Sequence, residues 1–509
     1  MLTINKLSMY HKKDLKPIVE DFSFTINNEA RKIAIIGEEG NGKSTLLKAI
    51  ADIDLISDYV EIKGSISKNN EIIGYLPQSV GDSWDDLSAT DILHKYYPLE
   101  NFDYNLFYSI LSNLDFSPDT IENNTCAKNL SGGEKIKFAL VLELMKEPTL
   151  LLLDEPSNDL DIDSINTIER FINSLNIPVI FVSHDEKLLE NCSDGVILLK
   201  QFNNKSIATH TIANLNYRDF INQREDALIK QTKLANKEKA EFDAKMERYR
   251  HVYERVNHEL RVVSRQEAHT AKNLKDKMHA VKSIEKRLEK EKEGLTKKPD
   301  IETSINIKFD SDVSIANSKN ILNVEIPFLK TDKRILSRNI HLHLTGNDKI
   351  CIIGKNGAGK TTLLREIMRE LEKINVTCGY MPQNYDENFN RTVTPIEFLT
   401  KDFTKDEHTQ IRTYLGSLKF TSEEMTRSIS SLSGGQKAKL YFAKMIFDKC
   451  QVLILDEPTR NLSPLSGPEI RKALLEFKGA IICVTHDRAL INDVFSNVYE
   501  LDEDGLHIK

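Results

Sequence analysis

The chain has 509 residues and a mass of 58.1 kDa, enough for two to four domains at about 100–200 residues each. Apolar residues make up 40% and charged residues 29%, with mean hydropathy -0.39 and apolar runs no longer than a strand, which excludes a helical membrane span and a disordered chain. The net charge of -8 argues against a nucleic-acid partner only until that charge is located.

Met1 to Tyr10 lacks the charged-then-apolar pattern of a secretory signal. Cysteines 126, 192, 351, 378, 450 and 483 form no CxxC pair, which points to a reducing cytoplasm. Arg31 to Ile36 then reads as a buried strand running into Gly37-Glu38-Glu39-Gly40-Asn41-Gly42-Lys43-Ser44-Thr45. This is P-loop spacing. Glycines let backbone N–H groups wrap phosphates, the lysine reaches the β/γ oxygens, and the Ser44 hydroxyl would hold Mg²⁺. The apolar helix that follows aims its positive end at the same place. Downstream stand Gly74-Tyr75-Leu76-Pro77-Gln78, Leu130-Ser131-Gly132-Gly133-Glu134, Leu153-Asp154-Glu155-Pro156 and Ser183-His184-Asp185. Tyr10 is either an adenine-stacking ring or ordinary packing.

The middle of the chain is different. No proline occurs between Pro178 and Pro299 and no glycine between Gly195 and Gly294, which favours long uninterrupted helices. Residues 218–298 carry 22 Lys/Arg against 15 Asp/Glu, a charge of +7 that leaves -15 on the rest. Ile221, Leu228, Ala235, Phe242, Tyr249 and Val256 recur every seven residues, and Leu274, Met278, Val281, Ile284 and Leu288 form a second stripe. The polar, basic stretch from Asn257 to Asn273 is the expected place of reversal between two antiparallel helices. Arg248, Arg250, Arg255, Arg261, Arg265, Lys272 and Lys275 cluster there, with His251, His258, His269 and His279. A solvated spacer explains such charge; a basic spike on an acidic body also suits an anionic target such as RNA.

The first series then recurs. Lys349 to Ile353 runs into Gly354-Lys355-Asn356-Gly357-Ala358-Gly359-Lys360-Thr361-Thr362, followed by Gly379-Tyr380-Met381-Pro382-Gln383, Leu432-Ser433-Gly434-Gly435-Gln436, Leu455-Asp456-Glu457-Pro458 and Thr485-His486-Asp487. From Ser131, Asp154 and His184 to Ser433, Asp456 and His486 the offset is 302 each time, the mark of a tandem duplication. Between Lys and Gln the copies span 35 and 23 residues, so that connection is free to vary. The chemistry fits the order. A strand ending in Asp-Glu puts Asp154 or Asp456 at the metal and Glu155 or Glu457 beside the γ-phosphate, where it can polarise a water. Gln78 and Gln383 suit sensing of metal and water, His184 and His486 suit a γ-phosphate hydrogen bond, and the Ser-Gly-Gly elements begin helices whose N–H groups suit a phosphate.

These motifs, in this order and in duplicate, resemble the Walker A, Q-loop, signature, Walker B and H-switch elements of the ATP-binding cassette superfamily. Two cassettes joined by a proline-free helical linker without a membrane span are similar to the ABC-F family of ribosome-binding translation ATPases, over nearly the whole chain. The resemblance implies an α/β fold class with two tandem P-loop ATP-binding cassette domains, 1–217 and 301–509, joined by a long antiparallel α-helical hairpin linker, 218–300, with its tip near 255–270. It implies ATP and Mg²⁺ as cofactors and a monomer whose cassettes close head-to-tail. Gly37, Gly40, Asn41, Gly42, Lys43, Ser44 and Thr45, with Asp154, Glu155 and His184, would face Ser433, Gly434 and Gly435. Gly354, Asn356, Gly357, Gly359, Lys360, Thr361 and Thr362, with Asp456, Glu457 and His486, would face Ser131, Gly132 and Gly133. The four Glu and His residues would be catalytic, and Ser44, Gln78, Asp154, Thr361, Gln383 and Asp456 would form the metal sites. The implied partner is the ribosome, through large-subunit rRNA and P-site tRNA in the cytoplasm and with no membrane, and Arg255, Arg261, Arg265 and Lys272 are the candidate RNA contacts.

One departure stands out. After Asp-Glu-Pro the first copy reads Ser157-Asn158-Asp159-Leu160-Asp161, close to the common D-loop, whereas the second reads Thr459-Arg460-Asn461-Leu462-Ser463-Pro464-Leu465-Ser466, with serine in place of the acid. Symmetric hydrolysis is therefore not expected. The same run resembles the Lsa- and Vga-type antibiotic-resistance branch, which implies protection of the peptidyl transferase centre against lincosamides, pleuromutilins and streptogramin A. A housekeeping translation factor and the ATPase subunit of a transporter are the alternative readings.

Overall fold

The computed structural model describes residues 1–27, 30–81, 84, 86–98, 100, 102–123, 125–158, 160–202, 206–262, 268–296, 307–309, 315–316, 319–331, 334–374, 376–387, 392–402 and 404–509. Two compact units result: residues 1–217 with 302–509, and residues 218–301.

The first unit contains the repeat as two similar α/β bodies. In the first, β1 (Leu2–His11), β2 (Pro17–Ile26) and β4 (Val60–Ser67) form an antiparallel sheet in the order β2-β1-β4. Six further strands, β3 (Lys32–Ile36), β5 (Ile73–Leu76), β6 (Leu150–Asp154), β7 (Val179–Val182), β8 (Gly195–Phe202) and β9 (Ile207–Ala213), form a second sheet in the order β5-β6-β7-β3-β8-β9. All pairs in it are parallel except β8 with β9. Strands β3, β6 and β7 are buried along their whole length, as expected of a parallel sheet covered on both faces.

The second body repeats this plan. The hairpin of β10 (Asn320–Lys330) and β11 (Ile335–Thr345) precedes β12 (Lys349–Ile353), β13 (Cys378–Met381), β14 (Val452–Asp456), β15 (Ala480–Val484), β16 (Asn497–Leu501) and β17 (Leu506–Ile508), ordered β13-β14-β15-β12-β16-β17. The hairpin has no counterpart of β4 among the described strands. That explains the unequal Lys-to-Gln spacings: β4 lies inside the 35-residue connection of the first copy.

The topology places the motifs. In both bodies the strand feeding the P-loop lies beside the strand ending at the histidine, and that one lies beside the strand ending in Asp-Glu. Parallel neighbours end on the same edge, so all three motifs converge at the carboxyl ends of the sheet, where α/β proteins bind ligands.

The second unit is a helical hairpin. Its helices are Tyr217–Val262 and Ala268–Glu293, about 69 and 39 Å long at roughly 1.5 Å per residue. Ala235, Phe242 and Val256 of the first and Leu274, Val281 and Leu288 of the second are buried at seven-residue multiples. Antiparallel pairing is fixed by Lys245 with Glu291 and by the Thr296 N–H, which donates to Glu238 Oε2 at 2.7 Å. The helices end at Val262 and resume at Ala268, inside the stretch expected to reverse; the first runs past Val256 because nothing from Asn257 to Val262 breaks a helix that Val256 already packs in place. One expectation needs correction. Ile284 is not on the buried stripe but 46% exposed, since the buried positions recur strictly every seven residues. Arg255, Arg261 and Lys272 are exposed; Arg265 lies outside the described residues.

Candidate nucleotide sites of the paired cassettes

Each P-loop lysine points back into its own loop. Lys43 Nζ donates to the carbonyls of Gly37 and Glu38 at 3.0 and 3.1 Å, and Lys360 Nζ to those of Gly354 and Lys355 at 2.7 and 3.1 Å. The loop carbonyls hold the ammonium at the position where phosphate oxygens would replace them as acceptors, and burial lowers both lysines from the usual range. Gly42 and Gly359 make it possible. They sit at φ 85° and 102°, and a Cβ there would come within 2.1 Å of Ile18 and 2.8 Å of Leu336. Thr45 and Thr362 follow in the first helical turn. Asn41 is spent on structure, its Nδ2 donating to the Leu199 carbonyl at 3.2 Å.

The metal-ligand candidates meet in pairs. Ser44 Oγ donates to Asp154 Oδ1 at 2.8 Å, and Thr361 Oγ1 to Asp456 Oδ2 at 2.7 Å. Burial pushes Asp154 up to about 6 and raises Asp456 as well. Asp154 Oδ2 is buried without a hydrogen bond. A hydroxyl beside a buried carboxylate with an oxygen free of hydrogen bonds fits Mg²⁺, a hard cation with oxygen ligands. Gln78 and Gln383 are exposed just beyond β5 and β13.

Glu155 and Glu457 follow directly. Glu155 is buried and Glu457 partly buried, at left-handed φ values of 54° and 53°, a costly backbone state for a non-glycine residue. The motif gave no sign of this geometry. It turns each carboxylate towards the next strand. Glu155 Oε2 accepts from the His184 N–H at 3.0 Å, and its Oε1 lies 3.1 Å from His184 Nε2. Glu457 Oε2 accepts from Thr485 Oγ1 and the His486 N–H at 3.3 and 3.4 Å, with His486 Nε2 at 3.7 Å from Oε1. Burial pushes Glu155 up to about 7 and Glu457 to about 8, while burial, then the P-loop lysine, lowers His184 to about 3 and His486 to about 4. Neutral imidazoles can donate one proton and accept another.

The two cassettes meet across these motifs. Ser131 and Ser433 cap the helices Gly132–Leu144 and Gly434–Phe447 by capping boxes with Glu134 and Gln436. A cavity of about 760 Å³ is lined by Gly357, Gly359, Lys360, Thr361, Gln383, Asp456, Glu457 and His486 from one cassette and by Gly132, Ser157, Asn158 and Leu160 from the other, and it reaches Glu155, His184 and Asp185 of the Lys43 site. That is the size of a small-molecule site. Asp161, which caps the helix Ile162–Ser174 through the Ser164 N–H, also accepts from the Asn356 N–H and acts on His486. Asp159 lies outside the described residues.

At the Lys43 site the cassettes touch directly. His184 Nδ1 lies 2.9 Å from the Leu462 carbonyl, and Glu39 Oε2 accepts from the Gly435 N–H at 2.5 Å. Ser463, at the place of Asp161, caps a short turn through the Leu465 N–H. Three ion pairs join the cassettes beside the sites: Arg488 with Glu169 at 2.7 Å and Asp185 at 3.3 Å, and Arg471 with Glu186.

Two features escaped the motifs. Arg334 lines the cavity and donates from Nη2 to the Gly357 carbonyl at 3.3 Å, a placement set by the β10–β11 turn and marked by no motif. Glu39 stood within the P-loop, and aligning it with Asn356 would have exposed the change of charge. Tyr10 is held in packing, its hydroxyl donating to Glu20 Oε1 at 3.2 Å and its ring under Lys63 Nζ at 5.3 Å.

Comparison with known proteins agrees with this construction. The model of the family described as ABC transporter matches residues 19–158 and 337–460, more than half of the chain. The ATP-binding protein YdiF of Bacillus subtilis is 28% identical over 98% of this chain and 80% of its own length. ATP-binding cassette sub-family F member 3 of Homo sapiens is 26% identical over 94% of this chain and 68% of its own. Among solved structures, the RNase-L inhibitor shares the fold with a TM-score of 0.61 at 17% identity, covering 98% of this chain and 89% of that one. No described helix is long and apolar enough to cross a membrane. Two P-loop cassettes, each with its own Asp-Glu and histidine motifs and matched in tandem by one family model, show that the chain belongs to the ABC transporter family and is an ATPase of the ABC-F type.

Proposed function

We propose that the protein is a cytoplasmic ribosome-binding ATPase that uses closure of its cassettes (1–217 and 301–509) on ATP to place the hairpin of 218–300 against RNA, and that it protects the peptidyl transferase centre from drugs. The observation that carries this reading is the hairpin itself: a long two-helix unit with a net charge of +7 on a chain of -8, exposing Arg255 and Arg261 near its far end and Lys272 on the return helix. Basic side chains exposed on a long helical hairpin suit phosphates of rRNA or of a P-site tRNA. Drug protection rests on the Thr459 to Ser466 run and on the resemblance drawn from it.

Within each site the chain's own residues have distinct tasks. Lys43 and Lys360, with the loop amides, hold the phosphates; Ser44 with Asp154, and Thr361 with Asp456, hold Mg²⁺, which when bound offsets phosphate charge. Glu155 and Glu457 orient the attacking water, and His184 and His486 read the terminal phosphate. The opposite helix starting at Gly132 or Gly434 completes the pocket only when the cassettes are together.

The reading is tested by sedimenting the purified protein with ribosomes, and by growing a drug-susceptible strain that expresses it on lincosamide, pleuromutilin and streptogramin A. Expected are nucleotide-dependent ribosome binding and growth on the drugs. Ribosome binding without protection would favour the housekeeping factor, and sedimentation with membranes alone would favour the transporter subunit. Charge reversal at Arg255 and Arg261 together should weaken ribosome binding and lower its salt slope by about 0.7–0.9 for each phosphate left without its cation.

A further inference from the structure

The two P-loops differ in charge at the residues nearest the opposite cassette. Before Lys360 these are Lys355 and Asn356; before Lys43 they are Glu38 and Glu39. Glu39 is engaged. Its Oε2 accepts the Gly435 N–H at 2.5 Å in the first turn of the helix Gly434–Phe447, and its carboxylate acts electrostatically on Lys43 and His184. Glu38 Oε1 lies 3.5 Å from Ser466 Oγ of the same opposing cassette. Lys43, His184 and the Gly435 N–H come from three elements in two cassettes. Under the nucleotide-site reading all three border the phosphates, and His184 reads the terminal one.

We propose that Glu39 is a specificity-determining residue of the Lys43 site: its carboxylate stands in for the terminal phosphate of a nucleoside triphosphate, so that this site takes a nucleoside diphosphate in preference. The inference rests on the reading of the Lys43 loop as a nucleotide site. A carboxylate and a phosphate make the same demand, an anion accepting from a helix N-terminus beside an ammonium, and both cannot be met at once. A terminal phosphate entering beside Glu39 would set like charges in contact. A diphosphate ends one phosphoryl group short and leaves the carboxylate bonded to Gly435.

The second site supplies the contrast. An acid acts on Lys360 and His486 there too, but it is Asp161 of the opposing D-loop. That carboxylate is held by Ser164 and by the Asn356 N–H, and Gly132 of the opposing helix borders the open cavity. Space for a terminal phosphate remains.

The test uses the full-length chain carrying Lys360→Ala, so that the Lys43 site dominates binding, titrated with fluorescent ADP and ATP derivatives in the presence of Mg²⁺. The expected result is that the parent loop binds the diphosphate about tenfold more tightly than the triphosphate. Glu39→Asn should raise triphosphate affinity about tenfold while changing diphosphate affinity less than about twofold. Glu39→Gln, which keeps the length and the oxygen acceptor, should move affinities in the same direction and serves if the Asn variant folds poorly. Unchanged triphosphate affinity, or an equal gain for both nucleotides, overturns the inference. Adding Lys43→Ala in the same background tests the underlying reading: if both nucleotides bind as before, the Lys43 loop is not a nucleotide site, whatever Glu39 does.

Discussion

Besides Glu457 in the site on Lys360 and Glu155 in the site on Lys43, a second acid reaches both lysine and histidine: in the first it comes from the opposing D-loop, as Asp161, and in the second from the P-loop itself, as Glu39. Each site keeps one such carboxylate, yet the exchange of position changes what the site can accept. Asp161 braces the edge of a cavity of about 760 Å³, whereas Glu39 ties the P-loop to the Gly435 N–H on the far side. The histidines follow suit. His184 bonds the Leu462 carbonyl, while His486 Nδ1 is buried without a hydrogen-bond partner. A duplicated fold thus carries two sites with different acids at the cassette boundary, and on the inference above they differ in the nucleotide they take.

The most direct way to break this comparison is to disable the sites singly. Glu457→Gln should lower ATP turnover more than about 100-fold if Glu457 orients the attacking water as proposed. Glu155→Gln should lower it less than about threefold, because the Lys43 site contributes little to turnover. Steady-state phosphate release from each purified variant measures both, and equal losses would show that the sites are equivalent. The double variant should retain nucleotide and accumulate on ribosomes.

A finer contrast lies in the D-loops. Asp161→Asn should reduce turnover about tenfold, because the carboxylate bonds the Asn356 N–H of the opposing P-loop and a neutral amide holds it less well. Ser463→Ala removes only a short-turn cap, bonded to the Leu465 N–H at 3.3 Å. It should leave turnover within about twofold and lower stability by about 0.5–1 kcal/mol, read from a thermal melt beside the turnover assay. A tenfold loss from Ser463→Ala would place a catalytic task where the structure shows a cap.

Much of this is legible in the chain alone, for a physical reason. Phosphate and metal chemistry demands particular residues at fixed short spacings, so Lys43, Ser44, Asp154, Glu155 and their counterparts at Lys360, Thr361, Asp456 and Glu457 declare themselves. The duplication repeats the statement. What is not legible depends on contacts between distant segments. The Glu39–Gly435 bond joins residues 396 positions apart, and nothing local to either predicts it. The left-handed backbone at Glu155 and Glu457 arises from the strand-to-loop geometry at the sheet edge. The continuation of the first hairpin helix to Val262 is hidden by polarity, which suggests a turn although charged residues such as Glu259 and Arg261 are good helix formers. Strand β4 hides inside a spacing that sequence can only describe as variable.

The smallest effect concerns the base rather than the phosphates. Tyr10, an aromatic of the first hairpin, is engaged by Glu20 and Lys63, whereas the second hairpin contributes Thr331, Arg334 and Leu336 to the cavity wall. A guanidinium is flat and weakly hydrated, so it can lie against a purine much as an aromatic ring does. Arg334 is also tethered beside the phosphate loop by the Gly357 carbonyl. Its contact with the base would be the same before and during hydrolysis, so its removal should weaken binding without slowing the chemical step. Arg334→Ala is therefore expected to raise KM for ATP about threefold with kcat unchanged, while Lys16→Ala in the first hairpin, exposed and paired with Asp14, should change neither. A fall in kcat for Arg334→Ala would instead assign the guanidinium to the phosphates, and equal effects of the two variants would remove the base from the comparison between the sites.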